Sequence, residues 1–143
     1  MRRVNVFAPQ MDEASDRAGY GWSSARLGRQ VGSEQVGVLL LELAEGQRSH
    51  PYHFHHEREE WALVVAGSPS LRTPAGERTL RAGDAVCFPA GEAGAHELTG
   101  PGTVLLLSDN RAPATAEYPE RGLLAAGGRV FRLADAVDLW EDT

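Results

Sequence analysis

The chain has 143 residues and a formal net charge of −6, from 14 Lys and Arg against 20 Asp and Glu. That length suits one domain, 1–143, able to bury roughly 68–70% of its unfolded surface without a disulfide or metal to hold it together. The acidic balance, with no Lys/Arg cluster, argues against nucleic acid and anionic membrane surfaces as partners, and the lone Cys87 fits a reducing, cytoplasmic setting.

Residues 1–35 are polar and glycine-dotted and read as an N-terminal arm, with a strand possible around Gly21–Leu27. Met1 to Glu13 lacks the apolar stretch of a secretory signal, and no apolar run approaches the ~18 residues of a membrane span. Val36–Leu43 is the first strong strand, followed by turn residues Glu45 and Gly46. Tyr52–His55 and Glu60–Ala66 follow. Ser70–Thr73 and Glu77–Leu80 flank Pro74-Ala75-Gly76, a hairpin with turn chemistry. Ala85–Phe88, His96–Leu98 and Val104–Leu107 complete the strands of a barrel core at about 36–108. Short strands at roughly 8–12-residue spacing, with 16 glycines for turns, predict an all-β sandwich or small barrel. Residues 109–128 read as an arm over the barrel, and Val130–Trp140 as a final strand and a short helix that pack on it.

Five histidines are present: His50, His53, His55, His56 and His96. His53 and His55 stand two apart on a predicted strand, so both side chains share a face. Glu60 opens the next strand and returns to the same level if the pairing is antiparallel. On that strand Glu60, Ala62, Val64 and Ala66 share a face, and small apolar residues beside an acid suit a lined cavity. His96 begins a later strand that closes the set. Three imidazoles and a carboxylate suit a divalent transition metal such as Fe, Mn, Ni, Cu or Zn. By local pattern alone, a polar surface cluster is an equal alternative.

Two motifs bear on that choice. Gly46, His53, His55, Glu60 and Gly67 are separated by six, one, four and six residues. Gly83-Asp84 is followed, after four residues, by Pro89, then Gly91 and, after four more residues, His96. In this order the two motifs resemble those of the cupin superfamily. Glu59-Glu60-Trp61, Leu71–Pro74, Gly83–Pro89, Gly94-Ala95-His96, Glu117-Tyr118-Pro119 and the ending Ala134–Glu141 are similar to bacterial single-domain cupins, most without an assigned activity. The resemblance implies a jelly-roll-like barrel of two antiparallel sheets and a homodimer. It also implies one divalent metal per chain on His53, His55, Glu60 and His96.

Three positions depart from the family pattern. The loop before His96 is two residues longer. Gly100 stands where an Asn is common. Glu120-Arg121-Gly122-Leu123 replaces Asp-Ser-Gly-Lys after Tyr118-Pro119, so a ligand contact made there by the Ser and Lys would be lost.

Glu59 competes with Glu60 as ligand, and the spacing to Gly67 favours Glu60. His50 and His56 read as rim or surface residues. Phe54 and Trp61 sit opposite the ligand face, packing a second sheet or a dimer seam, and Cys87 reads as an inert core thiol. No serine has a nucleophile-elbow context, and no phosphate-cradling glycine loop occurs. The expected activity is metal-dependent chemistry on a small organic molecule: oxygenation, isomerisation, decarboxylation or cyclisation, with Glu60 the ligand best suited to act as a base. The alternative is a non-catalytic module that binds a sugar-like or aromatic metabolite.

Overall fold

A computed structural model describes residues 1–110 and 114–140. Its strands in chain order are β1 (Glu13–Arg17), β2 (Tyr20–Ala25), β3 (Val36–Leu43), β4 (Phe54–His55), β5 (Glu60–Gly67), β6 (Ser70–Thr73), β7 (Gly76–Thr79), β8 (Ala85–Phe88), β9 (Glu97–Thr99), β10 (Gly102–Asp109), β11 (Ala116–Tyr118), β12 (Leu123–Ala126) and β13 (Arg129–Arg132). One short helix, α1 (Leu27–Val31), lies between β2 and β3.

Three antiparallel sheets form. The largest has the order β1-β2-β3-β10-β5-β8, and the others are β13-β12-β11-β4 and β7-β6-β9. The long partners β3 and β10 pair from Leu43–Gly102 to Val36–Asp109. Single bridges, Arg48–Thr99 and His53–His96, join the segment after β3 to the region of β9. The fold is an all-β, jelly-roll-like barrel, as the strand spacing predicts.

The core fills the space between the large sheet and its cover. Leu41, Leu43, Ala62, Val64, Phe88 and Val104 from the large sheet meet Leu71, Leu80 and Leu98 from the facing side. Each such large side chain, fully buried, stabilises the fold by roughly 1.5–3 kcal/mol. Ala62 and Val64 are therefore packed in the core, not cavity wall as the sequence suggested. Ala66 turns outward, because the β10–β5 register shifts at Thr103/Val104 and breaks the alternation.

The termini meet expectation in part: β2 answers the strand expected around Gly21–Leu27 and β13 the final strand expected from Val130. Residues 13–25 form a hairpin that extends the large sheet. The outer face of that sheet carries Leu40, Val38, Val65 and Leu105, and Leu27, Val6 and Met11 cover it. These exterior apolar residues are thus satisfied within the chain, which removes them as an argument for a dimer seam. The segment expected to be an arm supplies β11 and β12, and β11 pairs with β4. Among the described residues after β13 only a 3-10 turn, Leu133–Asp135, follows in place of the expected helix. Residues 111–113 of that arm, and Glu141 at the end of the family-like C-terminal stretch, lie outside the described residues. No helix among the described residues is long and apolar enough to cross a membrane.

Candidate metal centre

Tyr52–His55 is mostly not a ladder strand. Only Phe54 and His55 pair with β11, and His53 is held instead by its bridge to His96. There the His53 N–H donates to the His96 carbonyl at 3.1 Å, and the His96 N–H to the His53 carbonyl at 2.9 Å. His96 is aimed by the turn before it. Its Nδ1 lies 2.8 Å from the Gly94 carbonyl, and its ring stacks on Phe88 with centroids 3.7 Å apart. That turn needs glycine at 94, since a Cβ there would come within 1.8 Å of the Pro89 carbonyl oxygen. Gly100, the departure from the family's Asn, has a similar cause: a Cβ would meet the Ala44 carbonyl at 2.2 Å.

His53, Glu60 and His96 offer ligand atoms that all lie within 4.8 Å of one another. His55 adjoins them, with its Nε2 3.1 Å from Glu60 Oε2, and His96 Nε2 stands 3.6 Å from the same oxygen. The His53 and His55 rings meet edge to face at 5.1 Å. Three of the four residues expected to bind metal form one group, and His55 meets it through Glu60. Nδ1 of His53 is engaged by the Pro51 carbonyl at 2.8 Å, as Nδ1 of His96 is by Gly94. When Nδ1 donates its proton to a carbonyl, Nε2 is left as a bare lone pair facing the site, the tautomer a metal requires.

Glu60 Oε2 is buried and has no aligned hydrogen bond, despite its closeness to two imidazoles, and His55 Nδ1 is likewise unpartnered. A buried carboxylate oxygen left so is costly unless a cation meets it. Ligand atoms around one ion at about 2.1 Å stand up to about 4 Å apart, close to the spacing present. These residues fit a divalent metal.

The electrostatics agree. Burial, and then the neighbouring His96, push the His53 imidazole down to about 3, against an ordinary 6.5. Burial also lowers His96, with Glu60 pulling the other way. Both rings are thus neutral at pH 7, and proton competition for metal sets in below the 6.5 of a free imidazole. Burial would raise Glu60, but the contact with His55 and the nearby imidazoles outweigh it and hold the carboxyl low.

Glu59 points away: its Oε1 accepts the Trp61 indole N–H at 2.8 Å on the outer face, where Trp61 is 46% exposed. Phe54, on the face opposite the histidines, is buried. His56 is exposed and pairs with Glu117 at 3.0 Å. Burial, then Glu59, raise the Cys87 thiol, which suits an unreactive group.

His50 does more than the sequence suggested. It keeps an exposed edge, yet is flanked by Trp22 at 6.3 Å and His53 at 5.9 Å, and this crowding lowers its pKa. It lines a cavity of about 560 Å³ together with Glu60, Trp22, Leu106 and Ser108. Tyr118 stacks on His53 at 5.5 Å from β11. A periodicity argument finds neither residue, because His50 lies outside the ladder strands and Tyr118 comes from a three-residue strand beyond the expected barrel core. The composition holds one further clue: all 14 basic residues are arginine, so no Schiff base can form on a lysine of this chain.

Residues 39–108 match the cupin domain family. The chain belongs to the cupin superfamily. It is similar in structure to a cupin from Silicibacter pomeroyi described as a sugar phosphate isomerase, at 27% identity and a TM-score of 0.83, covering 94% of this chain and 95% of that one. A provisionally assigned sugar phosphate isomerase from Acidithiobacillus ferrooxidans is 26% identical, with a TM-score of 0.77 and coverage of 92% and 88%. The polyketide cyclase RemF from Streptomyces resistomycificus shares the fold at 23% identity and a TM-score of 0.60, over 80% of this cupin and 83% of the cyclase. No curated protein matches this cupin.

Proposed function

We propose that this cupin is a metal-dependent isomerase of a small hydroxylated carbonyl compound, with His53, His55, Glu60 and His96 holding one divalent transition metal. The observation that carries the proposal is the buried Glu60 Oε2, unpartnered and ringed by imidazoles whose Nδ1 atoms, at His53 and His96, are turned to backbone carbonyls. A bound ion would supply Lewis acidity toward a carbonyl oxygen. The chain's part is to take a proton from the adjacent carbon and return it to the neighbouring one. Glu60 and His50 face the cavity and can hold that proton. The absence of lysine leaves metal-assisted enolisation rather than imine formation as the route. Isomerisation is favoured over oxygenation, decarboxylation and cyclisation by the described activity of the two neighbours of nearly full coverage.

The test is elemental analysis of protein desalted without chelator, then proton NMR of ketoses and aldoses in D2O. Metal-dependent solvent exchange at the carbon beside the carbonyl supports the reading. One metal per chain with a sugar bound but unexchanged overturns it in favour of a binding module.

A homodimer belongs to the same proposal. Val130, Phe131, Leu133, Val137, Leu139 and Trp140 are all exposed along β13 and the segment after it, more apolar surface in one stretch than a monomer usually shows. Sedimentation equilibrium of the wild type and of Phe131→Ser tests this.

A further inference from the structure

We propose that a recess beside the metal centre is an anion subsite for the phosphate of a phosphomonoester. The inference rests on the proposed function only in taking the ester's carbons to extend toward Glu60.

The recess, about 340 Å³, is lined by Arg17, Tyr20, Ser15 and His50 among others, with Arg121. Local structure explains why they meet. Arg17 pairs with Tyr20 and Ser15 with Trp22 across the β1–β2 hairpin, so all four side chains share one face. Arg121 reaches the same place from the 3-10 turn after β11, where its Nη2 donates to the Tyr20 hydroxyl at 2.7 Å. Arg48 lies over the Tyr20 ring, with Cζ 4.6 Å from the centroid, and holds it in place.

Among the described residues neither Arg17 nor Arg121 has a carboxylate partner. Arg26, Arg48 and Arg72, by contrast, pair with Glu13, Glu97 and Glu120. Two unmatched guanidiniums in one recess of a chain with net charge −6 make a local positive field. The hydroxyls add direction. Tyr20 accepts from Arg121, and Ser15 Oγ accepts from the Arg17 backbone N–H at 3.3 Å. Each therefore keeps its own proton to donate to an incoming oxygen. Two cations and two such donors match the three oxygens and near −2 charge of a phosphomonoester better than a carboxylate's two oxygens and single charge.

His50 and Trp22 line both this recess and the larger cavity that holds Glu60. They form the shared wall. A phosphate on the arginines leaves the ester's carbon chain crossing that wall toward the metal centre.

Metal-free protein titrated with glycerol 3-phosphate by calorimetry tests the subsite, with glycerol and glycerate as controls. Saturable binding of the phosphate, none of glycerol and weaker binding of glycerate are expected. Arg17→Gln and Arg121→Gln should each weaken it at least about tenfold, the scale of a lost charge-assisted hydrogen bond. Arg17→Gln carries the test if loss of the Tyr20 contact unsettles Arg121→Gln, because the Arg17 side chain holds no bond among the described residues. No binding, unchanged affinity in Arg17→Gln, or glycerate binding as tightly would overturn the subsite. Metal stoichiometry is measured separately. Arginine-dependent phosphate binding by a chain that takes up no metal keeps the subsite and removes the metal reading.

Discussion

His53 and His96 exchange both backbone hydrogen bonds and hold their ring centroids 4.7 Å apart. The pair ties the loop before β4 to the turn before β9. It sets the spacing of two imidazoles by the backbone, not by the rotamers of long side chains. Such a site exists before any ligand arrives, which lowers the cost of binding one.

Removing a ring that faces Glu60 should remove the metal, and removing one at the rim should not. His53→Ala and His96→Ala are expected to lose stoichiometric metal, whereas His50→Ala keeps it and loses turnover. Inductively coupled plasma analysis beside a solvent-exchange assay reads both. Equal metal loss in all three variants would refute the assignment.

The two adjacent acids should separate cleanly. Glu60→Gln takes away the unpartnered Oε2 charge and is expected to weaken metal at least about 100-fold, beyond the 10–100-fold typical of outer-shell changes. Glu59→Gln alters only an outward contact with Trp61 and should leave metal affinity within about twofold. Competition with a chromogenic chelator measures both.

The metal-free protein should lose stability in acid. Above pH 6.5 His53 is neutral in both folded and unfolded chains. Below it the unfolded chain takes up a proton that the folded site refuses until about pH 3. The stability contributed by neutral His53 is therefore complete above 6.5 and lost as pH falls from there toward 3, by at most ~1.4 kcal/mol per pH unit. Burial gives His96 the same direction. Urea melts at pH 7.5, 6 and 5 should show the decline, with a shallower slope in His53→Ala. A flat wild-type profile over that range would contradict the account.

Gly94→Ala should destabilise the fold, because its Cβ would overlap the Pro89 carbonyl at 1.8 Å. The cost expected is about 1–3 kcal/mol or more, as for overpacking, with weaker metal binding as His96 is displaced. Gly46→Ala, where a Cβ meets nothing within 4 Å but φ is +69°, costs only the left-handed backbone penalty of ~1–2 kcal/mol and spares the metal. Thermal melts with chelator titrations separate the two effects.

Much of the barrel was legible in the residues. Val36–Leu43, Glu60–Gly67, Ser70–Thr73 and Ala85–Phe88 are apolar or alternating runs closed by glycine or proline, so local chemistry specifies them. Glu13–Arg17 carries no such signal. It is a strand because a neighbouring edge offers hydrogen bonds to it, which is a tertiary fact. The same holds for Tyr52–His55, where Pro51 and the pull of His96 leave a single bridge at His53 in place of a regular ladder.

The residues by themselves determined the ligand chemistry: imidazoles at a spacing of two, an acid five positions on, and a distant histidine between punctuating glycines. Only the tertiary structure decided the rest. It set Glu60 beside the histidines and Glu59 on the outer face, because strand alternation sends neighbouring side chains to opposite faces and the β5–β10 pairing fixes which face is inside. It moved His50 into the cavity wall, and it brought Arg17, Tyr20 and Arg121 to one recess from segments a hundred residues apart in the chain. Contacts of that separation depend on how sheets close on one another, and no local pattern records it.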